Sequence, residues 1–260
     1  MAFTLPDDLA PELYPLSWLI GTWRGYGIVT YGETIPEQAV YQEMVFDHDG
    51  GPYLRQRTTI WTVDATRSRN LDFEMPGLQG ARLLAPARIW SAETAYWRPV
   101  GQQQPDDDDA DTRTPITGLE LVSADPAGHV AVWEGWIQGP RAQAGTQAVG
   151  RTRTCAPVTE MTRMLGLVGG DLMWTQDMAA FGVEAPTTYA SGRLGRVEDP
   201  DDWASRPGAA LEAGERESEQ RSEEGAGSDD GLDRADSADS ADCADRADRA
   251  GRAGRAGTGA

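Results

Sequence analysis

Between residues 14 and 197 apolar and polar positions alternate in short runs, the period of a strand with one face in a core. "TWRGYGIVTY" puts Trp23, Gly25, Gly27, Val29 and Tyr31 on one face. "AVYQEMVFDH" sets Val40, Met44 and Phe46 against Tyr41, Glu43 and Val45. "GHVAVWEGWIQG" sets Val130, Val132, Glu134 and Trp136 against Ala131, Trp133, Gly135 and Ile137. "YLRQRTTIWTVD" is β-branched and aromatic, and "TQAVGRTRTC", "VTEMTRMLGLV" and "DLMWTQDMA" follow, split by Pro157 and Gly169–Gly170. A loop then leads into a last strand that ends at Val197. The one short helical turn is predicted near Ala10 to Leu19, where it can plug an end. The pattern predicts an all-β fold of about ten antiparallel strands in one up-and-down barrel, closed so that no strand edge is left open.

Two segments break the alternation. "VGQQQPDDDDADTRTP" is acidic and bounded by prolines, and reads as a loop insertion over residues 101–114 of a barrel domain spanning 1–197. Residues 198–260 end in a drifting Asp/Arg–Ala triplet and read as a low-complexity tail. Too little apolar surface is present there to offset chain entropy, so disorder is expected.

The formal net charge of −19 repels phosphate backbones and anionic lipid, which argues against nucleic-acid and membrane partners. All of the basic side chains are arginine, a composition expected of a GC-rich bacterial coding sequence. Cys155 and Cys243 form no metal or redox spacing, and the first residues lack the basic start of a signal peptide. A cytoplasmic protein is expected.

The sharpest local pattern is "GTWRGYG". Glycines inside a strand weaken it and mark a bend or a close backbone approach. Gly21, Gly25 and Gly27 are therefore read as letting the strand coil, with Trp23 sealing the barrel floor. These four residues also match the GxWxGxG signature of the nitrobindin family, haem-binding β-barrels related in shape to fatty-acid-binding proteins. The order of "PLSWLIGTWRGYG", "EQAVYQEMVFDHDGGPYLRQRTTIW" and "GGDLMWTQDMAAFGVE" is similar to that family over most of Leu13 to Val197.

In the family, a histidine shortly after a "MAAxG"-like segment ligates the haem iron, which supports nitric oxide binding and isomerisation of peroxynitrite to nitrate. The resemblance places that position at Thr188, with Thr187 and Tyr189 as its neighbours in the window; here the window reads "APTTYAS". A threonine hydroxyl is a poor substitute for an imidazole. The expectation is accordingly a family member without cofactor and without enzymatic activity, whose cavity binds a small apolar molecule or nothing specific. Haem b enters only through an unusual axial ligand. Tyr189 is the candidate, as a phenolate helped by Arg193 on the same face. A third reading is an interaction protein that works through its acidic loop and tail.

Other candidates have bland readings. His48 and His129 fall in turns, "FDHDGGPY" and "DPAGHV". Met173 and Met178 can approach a haem but are more often core filler. Asp106 to Asp109 lack the spacing of a calcium loop. Glu43, Glu134 and Asp72 are inward acids or solvent-facing partners of Arg55, Arg57 or Arg153. The sequence contains no GxSxG, P-loop or HExxH motif.

Overall fold

A computed structural model describes residues 6–103, 114–199, 201 and 206–226. The expected barrel is present: ten strands in one closed antiparallel sheet. They are β1 (Gly21–Tyr31), β2 (Ile35–Asp47), β3 (Leu54–Val63), β4 (Pro86–Gln103), β5 (Ile116–Ala124), β6 (His129–Gln138), β7 (Arg141–Arg151), β8 (Val158–Val168), β9 (Asp171–Ala180) and β10 (Thr187–Val197). Each pairs with its neighbours in the chain. β1 and β10 close the ring, with Thr22 opposite Val197 and Val29 opposite Ala190.

One face of the alternating strands is buried in the barrel. Trp23, Val29, Val40, Met44, Phe46, Trp97, Trp133, Leu165 and Leu194 belong to one continuous core. The glycines of β1 act through close backbone approach. A Cβ at Gly25 would stand 2.0 Å from the Arg193 carbonyl oxygen, and one at Gly27 would stand 1.9 Å from that of Ser191.

The floor is a 3-10 helix, Pro11–Leu19, whose Leu13, Leu16 and Leu19 are fully buried. The Trp23 indole N–H donates to the Leu19 carbonyl at 2.7 Å. The Arg196 guanidinium lies 4.1 Å from the centre of the Trp23 ring and donates to the carbonyls of Trp18 and Ile20. The Trp23 motif therefore sits at the plugged end. The connections β1–β2, β5–β6, β7–β8 and β9–β10 surround the other end, the mouth.

The β3–β4 connection carries a short helix, α1 (Gly77–Ala81), that packs on the outside of β1 and β10. Its Gly80 lies against the Tyr26 ring, and the Tyr26 hydroxyl reaches the carbonyls of Phe73 and Met75 at 2.8 and 2.7 Å. Tyr26, Tyr41, Ala81 and Leu84 thus form a second small core on the outer wall.

The segment expected to be disordered from residue 198 contains a helix, α2 (Ala209–Ala226). Its run of Ala, Glu and Arg has high helix propensity, and Ala210 N–H bonds to the Arg82 carbonyl at 3.2 Å. The chain divides into two units at Ser218. Residues 227–260 lie outside the described residues, as do 104–113 with Asp106–Asp109. No helix among the described residues is long and apolar enough to cross a membrane.

Candidate ligand site at the barrel mouth

The barrel interior keeps a cavity of about 270 Å3 that opens at the mouth. Trp97, Trp133 and Trp174 fill much of the space below it, each tied by its indole N–H to Gln56, Ser123 or Gln42. Trp61 packs on the outer wall, Trp136 lies under Arg141, and Trp90 stands at the mouth. The tryptophans narrow the cavity without closing it. A larger groove of about 510 Å3 runs along the outer wall past Phe73, Met164, Val168 and Met173, outside the barrel. The interior cavity holds the ionisable cluster and is the better candidate site.

Its deep side is polar. Arg163 of β8 points inward and makes two bonds to the Glu93 carboxylate of β4, at 2.8 and 2.9 Å. The guanidinium also donates to Gln176 and stacks 4.9 Å from the centre of the Trp133 ring. The inward acid is therefore Glu93. Glu43 pairs with Arg24, while Glu134 and Asp72 are exposed. Strand parity carried this signal: Glu93 shares a face with Ala95 and Trp97, and Arg163 with Met161 and Leu165.

The mouth is apolar, walled by Ile35, Ile60, Trp90, Val158, Met161, Met178 and Phe181. Met173, the other methionine considered, is on the outer wall. Of the three β10 positions, Thr187 and Thr188 are exposed, and Tyr189 lines the cavity. The cause is a β-bulge. Thr188 pairs with Asp177 and Ala190 with Gln176, which leaves Tyr189 as the extra residue. A bulge re-aims its side chain, here into the barrel. The same slip separates Tyr189 from Arg193, which binds Asp171 at 2.6 Å and the Glu74 carbonyl at 2.8 Å. The expected Tyr189–Arg193 partnership is thus corrected: the donor to the Tyr189 hydroxyl is the Trp90 indole, at 2.7 Å. Burial pushes the Tyr189 phenol above its ordinary value, the Trp90 bond pulls it down, and the Asp125 carboxylate pushes it up.

His129 opens β6 and lines the cavity, a more buried place than the turn reading gave it. Its Nδ1 is 2.8 Å from Asp125 Oδ2, and its Nε2 is 2.8 Å from Cys155 Sγ and 3.0 Å from the Ala156 carbonyl oxygen. Sequence reading missed this group because its members come from two turns about thirty residues apart. His48 lies at the other end, 3.9 Å from Asp8.

A model of the THAP4-like, haem-binding β-barrel domain matches residues 12–196. A "Ferric nitrobindin-like protein" of Beutenbergia cavernae is 44% identical over 76% of this chain and 100% of its own length. A "Peroxynitrite isomerase" of Leifsonia xyli subsp. xyli is 31% identical over 75% of this chain and 98% of its own. The crystal structure of Rv2717c from M. tuberculosis superposes with a TM-score of 0.53 at 24% identity, over 73% of this chain and 99% of that one, and supports the fold.

Two expectations are overturned here. The family is described as haem-binding, which points to haem as a cofactor against the expected absence of one. Relatives at 30–34% identity are named for peroxynitrite isomerisation, which points to enzymatic chemistry in the family against the expectation of none. A single three-residue window on β10, Thr187 to Tyr189, is too narrow a basis for excluding a cofactor from a cavity walled by several strands and turns of the barrel. With the model spanning nearly every strand, the chain belongs to the THAP4-like, haem-binding β-barrel family, the nitrobindins.

Proposed function

We propose that this chain binds haem at the mouth of its barrel through Tyr189 and supports nitrogen-oxide chemistry of the kind its relatives are named for. The observation that carries this reading is the bulge that turns Tyr189, and neither adjacent threonine, into the cavity. Phenolate is one of the few side-chain types that hold haem iron.

The residues present fit the group. Tyr189 offers an oxygen, and the indole N–H of Trp90 can only donate, so it favours the phenolate. The apolar walls of Ile35, Ile60, Val158 and Met161 would exclude water from a bound haem. At about 270 Å3 the cavity falls just below the ~300–1,000 Å3 usual for enclosed small ligands, so a porphyrin would be held with part of it outside. When bound, haem supplies the iron centre for nitric oxide or peroxynitrite. The chain's part is to bind and orient it, to offset through the Trp90 donor some of the burial that keeps the Tyr189 phenol protonated, and to keep the cavity's polar end ordered through Arg163 and Glu93.

The test is a titration of the purified chain with ferric haem, followed in the Soret region, for wild type, Tyr189→Phe and His129→Gln. Saturable one-to-one binding with a phenolate-type spectrum that Tyr189→Phe abolishes is expected. No saturable binding, or a spectrum indifferent to Tyr189→Phe, refutes the assignment. Peroxynitrite decay to nitrate, with and without haem, then tests the chemistry.

A further inference from the structure

A second cluster shares the wall of the same cavity and needs no haem for the chemistry argued for it. Asp125 opens the β5–β6 turn, and its Oδ1 accepts the peptide N–H groups of Gly128 and His129 at 2.7 and 3.0 Å. Its other oxygen holds His129 Nδ1 at 2.8 Å. That carboxylate favours the proton on Nδ1, and Nε2 then faces Cys155 Sγ at 2.8 Å and the Ala156 carbonyl oxygen at 3.0 Å; in the neutral ring Nε2 can take the thiol proton, and once protonated it donates to that carbonyl. The peptide N–H of Ala156 also bonds the sulfur. A nucleophile in reach of a base, with the base oriented by a third group, is the arrangement that activates a thiol. Asp125, His129 and Ala156 all line the cavity wall, so a small molecule entering the mouth arrives beside the pair.

We propose that Cys155 is a reactive thiol, activated by His129 and Asp125, that is oxidised by small peroxides entering at the barrel mouth. The side chain rests as a thiol, because burial and then the Asp125 carboxylate push its pKa up, and the Ala156 bond offsets only part of this. His129 therefore acts as the base during attack. The Sγ attacks one peroxide oxygen, an S–O bond forms and the O–O bond breaks. Sulfur loses two electrons and the peroxide gains them. The thiol proton passes to Nε2 and from there to the departing oxygen, so that thiol and ROOH become sulfenic acid and ROH. Hydrogen peroxide and peroxynitrous acid both belong to this class. Acyl transfer would need donors for an oxyanion in addition. Oxidation needs only the thiolate support that Ala156 supplies.

The test uses the full chain carrying Cys243→Ser, haem-free, with hydrogen peroxide as oxidant and dimedone to capture sulfenic acid, read by mass spectrometry. Cys155 is expected to be captured faster in the native protein than in the same chain unfolded in urea. His129→Gln should slow capture by about a hundredfold, the lower bound for a positioned base, and Asp125→Asn should slow it less. Melting curves establish that each variant is folded. The comparison of native with unfolded wild-type triad needs no variant at all. A native rate at or below the unfolded one overturns the proposal, as does an undiminished rate in folded His129→Gln.

Discussion

Across the barrel mouth, the Trp90 indole of β4 donates its N–H to the Tyr189 hydroxyl of β10 at 2.7 Å. The two strands are not neighbours in the sheet, so the bond spans the opening. A partner that orients a metal ligand typically changes affinity by about 10- to 100-fold when removed. Trp90→Phe should therefore weaken ferric haem binding by about that factor and raise the pKa of the Tyr189 phenol in the haem-free protein. Haem titration and ultraviolet titration of tyrosinate check the two effects. Equal affinity and an unmoved phenol would show that the bond has no bearing on the ligand.

The Arg163–Glu93 pair is largely buried, with side chains only 5% and 19% exposed. Glu93→Gln leaves a buried guanidinium with a weaker partner and should cost roughly 3 kcal/mol in urea unfolding. Replacing both residues with apolar side chains of similar size, Arg163→Met with Glu93→Leu, should recover most of that loss. A double variant as unstable as the single one would show that the pair itself is needed for stability.

At Gly25 the backbone of β10 fills the place of a side chain. Gly25→Ala should destabilise by at least about 1–3 kcal/mol through overpacking. Gly166 is the control in a strand of the same barrel, since an added Cβ meets only the Pro140 carbonyl oxygen at 3.6 Å, an ordinary contact. Gly166→Ala should be neutral or slightly stabilising by denaturant midpoint. Equal effects at both sites would contradict the close-approach reading.

Tyr41 packs under Trp61 on the outer wall, with ring centres 5.3 Å apart. Burial, and then the Glu43 carboxylate, drive its phenol far above the ordinary value of 10.0, and burial raises Tyr26 and Tyr189 as well. The unfolded chain loses these protons near pH 10 while the folded protein keeps them. Stability from these groups is thus fully present below about pH 10 and is lost as the pH rises above it. Denaturant midpoints measured from neutral to strongly alkaline pH should fall in that window, and Tyr41→Phe should flatten the fall. An unchanged slope would place the loss elsewhere.

The barrel was legible because a period of two, repeated with glycine and proline breaks, has few closed solutions. The Tyr189 environment was not. A bulge changes parity by one residue, and alternation read through it assigned Arg193 to the wrong face. Tyr26 and Tyr41 lie on the outer face by parity and are buried by a connection that folds back over the wall, which alternation alone does not reveal. The Asp125–His129–Cys155 group depends on two turns meeting in space, which no local pattern encodes. The helix at Ala209–Ala226 was hidden by reading the composition of the final repeats back onto a segment richer in helix formers.

The seam between β1 and β10 bears on how the protein is made. Thr22 must wait for Val197 before either strand has a full set of partners. During synthesis the growing sheet therefore carries an open edge along β1 until nearly every strand has left the ribosome. Such an edge is a template for pairing with other chains, and closure over so long a loop is slow. A chain cut short anywhere within or before β10 would yield a sheet that cannot fully seal itself, so such truncated products should be aggregation-prone even when most of the barrel has been translated.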